Sequence, residues 1–170
     1  MLNKFSCVVL LVVISFSLQS HCKAPLAELD KPVKNRAHIN REEIVTYAKK
    51  FLGTRYRNAG IDPATGFDCS GFVYFVFKKF NIDLPRGSRE YQFFGTALRS
   101  EEFKVGDILV FYGYRDSTQI GHVGIICEAD GMRSKFIHAS SGKAYGVTIS
   151  ELDSKMYTRR FYKCIDVIRN

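Results

Sequence analysis

The stretch GFDCSGF at residues 66–72 decides the fold, because it places one cysteine where extended chain turns into a helix. Asp68 can cap that helix, and an apolar run continues from Phe72 through Phe77. The pattern predicts a buried central helix with Cys69 in its first turn. The positive end of a helix macrodipole favours a thiolate over a thiol, so this position suits a nucleophile.

Two histidines downstream are candidates to activate that thiol. His122 lies in the strand-like segment 121–124 (GHVG) and His138 in the segment 136–140 (FIHAS). A free cysteine has a pKa of about 8.5, so it needs a nearby imidazole to take its proton at neutral pH. In adjacent antiparallel strands the two imidazoles can be cross-strand neighbours. The sequence predicts a triad of Cys69, His122 and His138.

Further helices are predicted on both sides of this stretch. Asn40 and Glu43 form a capping pair for an amphipathic helix that Gly53 stops. Ser88 is in position to cap a short helix through Phe94. We therefore expect at least three helices in the first half of the chain.

Beyond these helices the pattern changes to strands. Helices followed by a run of strands with short links predict the α+β class, with N-terminal helices packed on a central antiparallel sheet. The charge run at 155–160 is interpreted as a solvated face. The predicted strands cover residues 107–112, 122–128, 135–139, 146–150 and 161–168.

Composition limits the size of the protein and the nature of its partners. The 170 residues, 46% of them hydrophobic, are enough for one domain with a substantial core. The net charge of +8 favours anionic surroundings such as nucleic acid, a membrane surface or an acidic cell-wall polymer. Charge alone does not choose among them.

The N-terminus indicates export. Lys4 precedes an apolar run at 8–14, and the more polar residues 15–20 follow, a pattern typical of a secretory signal peptide over residues 1–22. The run is shorter than the roughly 18 residues that a membrane-spanning helix needs. Export disfavours nucleic acid as a partner. The polar segment 23–39 is predicted to be a linker, and residues 40–170 the folded domain.

Three cysteines remain in the predicted domain after the signal segment. Cys127 and Cys164 both lie in strand patterns and are interpreted as small buried apolar residues. Together with Cys69 they form an odd set, which is not a disulfide framework. A bridge between Cys127 and Cys164 remains open on the sequence.

Five segments occur in a specific order along residues 40–170: 68–72 (DCSGF), 84–86 (LPR), 105–111 (VGDILVF), 122–125 (HVGI) and 136–140 (FIHAS). In this order they resemble the NlpC/P60 family of papain-like cysteine peptidases, which cleave peptide bonds in bacterial peptidoglycan stems. The likeness is strongest to small single-domain murein endopeptidases. It implies a papain-like NlpC/P60 fold.

The resemblance also implies residue roles. Cys69 would be the nucleophile, His122 the general base and His138 the residue that orients His122. The backbone N–H of Cys69 is a natural oxyanion donor, and the resemblance adds the Tyr56 hydroxyl as the second. Substrate-binding positions implied by the resemblance are Asp68, Ser70, Ser88 and Arg89.

The implied reaction is hydrolysis through a thioester, at an amide bond next to meso-diaminopimelate on its D-glutamyl or D-alanyl side. No cofactor is expected. Zinc held by the three triad residues is disfavoured, because paired ligand spacing such as Cys-x-x-Cys is missing. The implied partner is the peptidoglycan stem peptide.

Two alternatives to an active peptidase stay open. The bulky Asn58-Ala59 wall and the basic charge fit a peptidoglycan-binding module with an idle triad. An acyltransferase could use the same triad, but it would need an apolar cleft.

The resemblance extends to location, which would be the bacterial cell envelope, as a periplasmic protein or outer-membrane lipoprotein, or the secreted fraction. Cys22 follows the apolar run where bacterial lipoproteins carry their lipidated cysteine. Lipid at Cys22 would anchor the chain to a membrane. His21 occupies the position before that cysteine, where lipoprotein signals usually have a small residue. The alternative interpretation is simple cleavage without lipid, for instance after Ala24.

Overall fold

The computed structural model describes residues 39–168 of the chain. The predicted signal segment 1–22, Cys22 and the linker up to residue 38 lie outside the described residues. Within them the helices are α1 (Arg41–Lys49), α2 (Cys69–Lys78) and α3 (Lys155–Arg160), with 3₁₀ helices at Ser88–Gln92 and Ser100–Glu102. The strands are β1 (Ile61–Asp62), β2 (Gly66–Phe67), β3 (Ile108–Tyr112), β4 (Ile120–Glu128), β5 (Lys135–Ser140), β6 (Gly146–Glu151) and β7 (Phe161–Ile165).

The main sheet is antiparallel throughout and has the order β6-β5-β4-β3-β7. All five predicted strands are present, and each differs from the prediction at one end, by one to three residues. β1 and β2 form a separate small hairpin before α2, which the sequence did not predict. The α+β prediction with an antiparallel sheet is confirmed.

Two apolar layers cover the two faces of the main sheet. Alternate residues of β3 and β4, such as Val110 and Val123, pack with α1 and α2. The residues between them, such as Phe111 and Ile126, pack with Tyr157 of α3 on the opposite face. We refer to these as the α2 face and the α3 face. None of the helices between residues 39 and 168 has the length and apolar character needed to span a membrane.

Two predicted helix starts need correction. The Asn40 side chain caps α1 by accepting a hydrogen bond from the Glu42 N–H, not through a pair with Glu43. Gly87, and not Ser88, is the cap of the next helix, because the Gly87 N–H donates to the Glu90 carboxylate at 2.9 Å. That helix is a 3₁₀ turn that ends at Gln92, short of the predicted Phe94.

Residues 155–160 are a solvated face only in part, with Lys155 and Arg159 exposed as predicted. They form α3, in which Tyr157 and Arg160 are buried. Cys127 and Cys164 are both buried, as predicted, and both are free, so the disulfide left open on the sequence does not form.

Candidate active site

A polar clamp fixes the start of α2. The Asp68 carboxylate accepts from the Gly71 N–H at 2.6 Å, as the sequence predicted for a helix cap. The Arg86 guanidinium donates to both Asp68 oxygens at 3.0 and 2.9 Å and to the Ser70 hydroxyl at 3.2 Å. A Cβ on Gly71 would lie 2.0 Å from the Gly60 carbonyl oxygen, so only glycine fits there. Cys69 is thus held in a rigid first turn.

The Cys69 thiol is buried, with 8% of the residue exposed. Its Sγ lies 3.9 Å from the carbonyl oxygen of Gly121, the residue before His122. Burial, helped by the nearby Asp68 charge, raises the pKa of the thiol to about 11. The N–H groups of Val123, Ser70 and Cys69 itself act in the opposite direction, but burial outweighs them. In the substrate-free site the sulfur is a protonated thiol.

The two histidines are in direct contact. His122 Nε2 lies 2.9 Å from His138 Nδ1, and the ring planes are nearly perpendicular. Continuing the Ile125–Ile137 pairing of β4 and β5 puts Gly124 opposite His138, so the imidazoles are diagonal neighbours. A Cβ on Gly124 would lie 3.1 Å from the His138 Cβ, which makes this glycine part of the arrangement.

A hydrogen-bond chain continues beyond His138. Its Nε2 lies 2.9 Å from the Ser150 hydroxyl and 3.3 Å from the Tyr157 hydroxyl. We assign an Nε2–H on each ring: His122 donates to His138 Nδ1, and His138 donates to Ser150. This assignment leaves the Nδ1 lone pair of His122 available to accept a proton.

Both imidazoles are neutral at neutral pH. Burial, then the neighbouring His138 and Arg160, lower the pKa of His122 well below 6.5. Burial and the Arg160 charge lower the pKa of His138 to about 3. A neutral imidazole has a lone pair that can accept a thiol proton, which is the property a general base requires.

A cavity of about 1420 Å³ opens in front of this arrangement. Its wall includes His122, Gly121 and three of the predicted site residues, Tyr56, Ser88 and Arg89. Asp68 and Ser70 are absent from the wall and belong to the clamp beneath α2, and Cys69 itself is not part of the wall. The charged side chains of the wall are Arg89, Arg115, Asp116, Lys143 and Arg160.

Tyr56 has the properties of a hydrogen-bond donor. Burial, then electrostatic interactions with Cys69 and Asp68, raise the pKa of its hydroxyl to about 12, so it keeps its proton. Its ring packs on Tyr145 with centroids 5.7 Å apart. The N–H of Cys69 is a further donor, since the first N–H groups of a helix have no partner within the helix.

Sequence reasoning missed three residues of this region: Ser150, Tyr157 and Arg160. Strand alternation could have found Ser150, because it shares a face with Thr148, which pairs with His138. Tyr157 and Arg160 are three residues apart and so share one side of α3, which a helical reading of 155–160 would have indicated. In residues 39–168 no group of three or more His, Cys, Asp or Glu side chains could hold a metal ion.

Comparison with known proteins identifies the family. The NlpC/P60 family description matches residues 53–166, more than half of the chain. The chain belongs to the NlpC/P60 family. The prediction made from the five sequence segments is therefore confirmed at the level of family.

Individual relatives agree with this assignment. The chain is 32% identical over 160 residues to an Escherichia coli protein named "Probable endopeptidase NlpC", covering 92% of the chain and 96% of the relative. It is 33% identical over 146 residues to the gamma-DL-glutamyl hydrolase of Bacillus subtilis, covering 86% of the chain but only 32% of that longer protein. The solved NlpC/P60 domain of the peptidoglycan hydrolase SagA superposes with a TM-score of 0.60 at 28% identity, covering 75% of this chain and 99% of that domain.

Proposed function

We propose that this chain is a cysteine-type endopeptidase that hydrolyses amide bonds in the stem peptides or cross-links of peptidoglycan. The observation that carries the proposal is the contact between His122 Nε2 and His138 Nδ1, with the Cys69 sulfur beside the residue that precedes His122. Support for the substrate comes from the relatives, which are named an endopeptidase, a gamma-DL-glutamyl hydrolase and a peptidoglycan hydrolase.

The reaction follows from the proton positions. Attack of Cys69 Sγ on the amide carbonyl carbon forms a C–S bond while His122 Nδ1 takes the thiol proton. Breaking the C–N bond releases the amine, which receives that proton from His122. Water then attacks the thioester and gives a proton to His122, and the departing sulfur recovers it. His138 holds His122 in the tautomer that this sequence needs.

Two donors serve the tetrahedral intermediates in this proposal. The N–H of Cys69 and the protonated hydroxyl of Tyr56 would stabilise the negative oxygen that forms in each attack. Ser88 and Arg89 line the cavity and are proposed to contact the peptide. Asp68 and Ser70 would act on the substrate less directly, because their side chains are engaged with Arg86.

The proposed bond adjoins meso-diaminopimelate, on the D-glutamyl or the D-alanyl side. We also propose export through residues 1–22, a linker over 23–39, and a site of action in the envelope or outside the cell, with lipid at Cys22 as one form of attachment. These N-terminal features rest on the sequence pattern alone.

The deciding experiment compares the purified protein with its Cys69→Ala variant on diaminopimelate-type peptidoglycan fragments, with products identified by mass spectrometry. Cys127→Ala is the matched control, since it also removes a buried cysteine. Stem-cleaved monomers would identify the D-glutamyl bond, whereas dimers converted to intact monomers would identify a cross-link. Turnover that survives in Cys69→Ala, or no Cys69-dependent product at all, would overturn the proposal.

One observation favours a second candidate, a peptidoglycan-binding module with an idle triad. The thiol is buried and protonated in the substrate-free site. Alkylation of Cys69 followed against pH separates the candidates when it is measured with and without peptidoglycan fragments. If the chain is an enzyme, the fragments should change the alkylation rate of Cys69 and should be cleaved. If it is a binding module, the fragments should protect the thiol from alkylation and should remain intact.

A further inference from the structure

Arg160, the last residue of α3, carries a charge that has no carboxylate partner among the described residues. The residue is only 9% exposed, and its Nε donates to the Tyr112 carbonyl oxygen at 2.9 Å. Among residues 39–168 this is its one hydrogen bond, and no carboxylate there forms an ion pair with it. Burial accordingly lowers the pKa of the guanidinium, and the opposing contributions come from Tyr157, Cys69 and Tyr114, not from an Asp or Glu. The outer nitrogens of the guanidinium remain available.

Two other partly buried arginines of this protein are paired with carboxylates. Arg41 bonds to Asp107 and Asp166, and Arg86 bonds to both oxygens of Asp68. This is the ordinary arrangement, because an unpaired charge removed from water is strongly unfavourable. Arg160 is the most buried of the three arginines, yet it lacks such a carboxylate partner among the described residues.

Two aromatic rings hold the Arg160 guanidinium in position. Its central carbon lies 5.7 Å from the Tyr114 ring centroid and 5.9 Å from that of Tyr157. Such contacts and the bond to Tyr112 fix the plane of the group without neutralising it. A guanidinium with fixed orientation is well suited to bind a planar anion through two parallel hydrogen bonds.

The location of Arg160 connects it to the reaction. It lines the same cavity as His122, together with the basic residues Arg115 and Lys143. Asp116 is the one carboxylate on that wall, and its Oδ1 already accepts from the Thr118 N–H and hydroxyl. The cavity is therefore an anion-binding environment next to the proposed base.

We propose that Arg160 binds a free carboxylate of the peptide substrate, which serves as the counter-ion that residues 39–168 do not supply. The inference rests on the proposed function, since it names part of the substrate of the same site. Its chemistry fits a peptide in which glutamyl residues are joined through the side chain, because such a residue keeps its α-carboxylate free. It would make Arg160 a specificity residue for acidic peptides.

The test uses diaminopimelate-containing stem peptides in which one carboxylate at a time is converted to a carboxamide. The proteins are wild type, Arg160→Gln and Arg160→Lys, with Arg159→Gln as the matched control: it removes the same charge from an exposed position of α3. For one of the peptide pairs, wild type should prefer the carboxylate by about 10- to 100-fold in kcat/KM, the range of a hydrogen-bonded charge. Arg160→Gln should abolish that preference by raising KM for the carboxylate form alone.

The controls keep this outcome distinct from a structural effect. Arg159→Gln should retain the full preference. Arg160→Lys should retain part of it, because lysine keeps the positive charge but lacks the two parallel N–H donors of the guanidinium. Equal wild-type kcat/KM for every carboxylate and carboxamide pair would overturn the proposal without any variant. An equal loss on all peptides in a folded Arg160→Gln protein would also overturn it, since Arg160 would then act on the triad and not on the substrate.

Failure of the proposed function gives a different result. In that case wild type would cleave none of the peptides. Binding of the same peptide pairs to Cys69→Ala and Cys69→Ala/Arg160→Gln, measured by calorimetry, then tests Arg160 alone. A carboxylate preference that disappears with Arg160 would support the inference, and the absence of any preference would overturn it.

Discussion

The two faces of the main sheet differ in what their side chains do. The α2 face is filled by aliphatic and aromatic residues, such as Val110, Val123 and Phe72, with no exposed surface. The α3 face is also buried, but its aromatic layer of Phe111, Phe136 and Tyr157 packs against the imidazoles of His122 and His138. One layer supplies stability through apolar burial, and the other uses burial to set the protonation of polar groups.

The difference also bears on the proposed triad, which lies near the start of β4. Cys69 comes from the α2 face and reaches the carbonyl of Gly121, whereas His138 faces α3. The proposed nucleophile therefore depends on helix packing, and the proposed base depends on the polar network of the opposite face.

The largest expected effect comes from removing the orienting residue on the α3 face. His138→Ala should lower kcat by about 100-fold or more, because His122 loses the acceptor that fixes its tautomer. His138→Asn, which keeps an acceptor oxygen near His122 Nε2, should recover part of the loss. The measurement is steady-state hydrolysis of the stem peptide. A His138→Ala kcat within twofold of wild type would contradict the role given to His138.

A matching experiment breaks the α2 face instead. Gly71→Ala should destabilise the protein by about 3 kcal/mol or more, because its Cβ would lie 2.0 Å from the Gly60 carbonyl oxygen and displace the start of α2. Gly142→Ala is the control, since the nearest atom to its Cβ is the Ser140 hydroxyl at 3.4 Å. The measurement is urea unfolding. Equal midpoints for the two variants would show that α2 is not held as tightly as its clamp indicates.

Acid should weaken the α3 face. The pKa of His138 is lowered to about 3 in the folded protein, so between pH 6.5 and 3 the unfolded chain binds more protons than the folded protein does. The free energy of unfolding therefore falls as the pH is lowered through this range. Each pKa unit of difference is worth about 1.4 kcal/mol, and His122 acts in the same direction. His138→Asn should flatten the dependence measured by denaturant titration. An unfolding free energy independent of pH over this range would refute the neutral buried pair.

The smallest expected effect concerns the end of the hydrogen-bond chain. Ser150→Ala and Tyr157→Phe should each lower kcat by less than about tenfold, because either hydroxyl can accept from His138 Nε2 when the other is gone. The double variant should lose more than the sum of the single losses in activation free energy, since a buried donor is then left unpaired. Strict additivity in the double-mutant cycle would mean that the two hydroxyls do not share this donor.

Much of the fold was predictable because its signals are local. The cap at Asp68, the buried helix after it and the five strands follow from residue type and periodicity. The errors lie at short elements: the β1–β2 hairpin has two residues in each strand, and α3 has six residues with several charges. Such short segments contain too few repeats of the hydrophobic pattern to show whether a charged residue is buried or exposed to solvent.

The family, and the choice of Cys69, His122 and His138 as the proposed triad, follow from residue type and from the order of the segments along the chain. The folded structure was needed to show that Ser150 and Tyr157 extend the histidine pair and that Arg160 lines the cavity with no carboxylate partner among residues 39–168. It also decided the direction in which the pKa values of Cys69 and both histidines move. The physical reason is that burial and charge pairing depend on residues far apart in sequence, so no local pattern contains them.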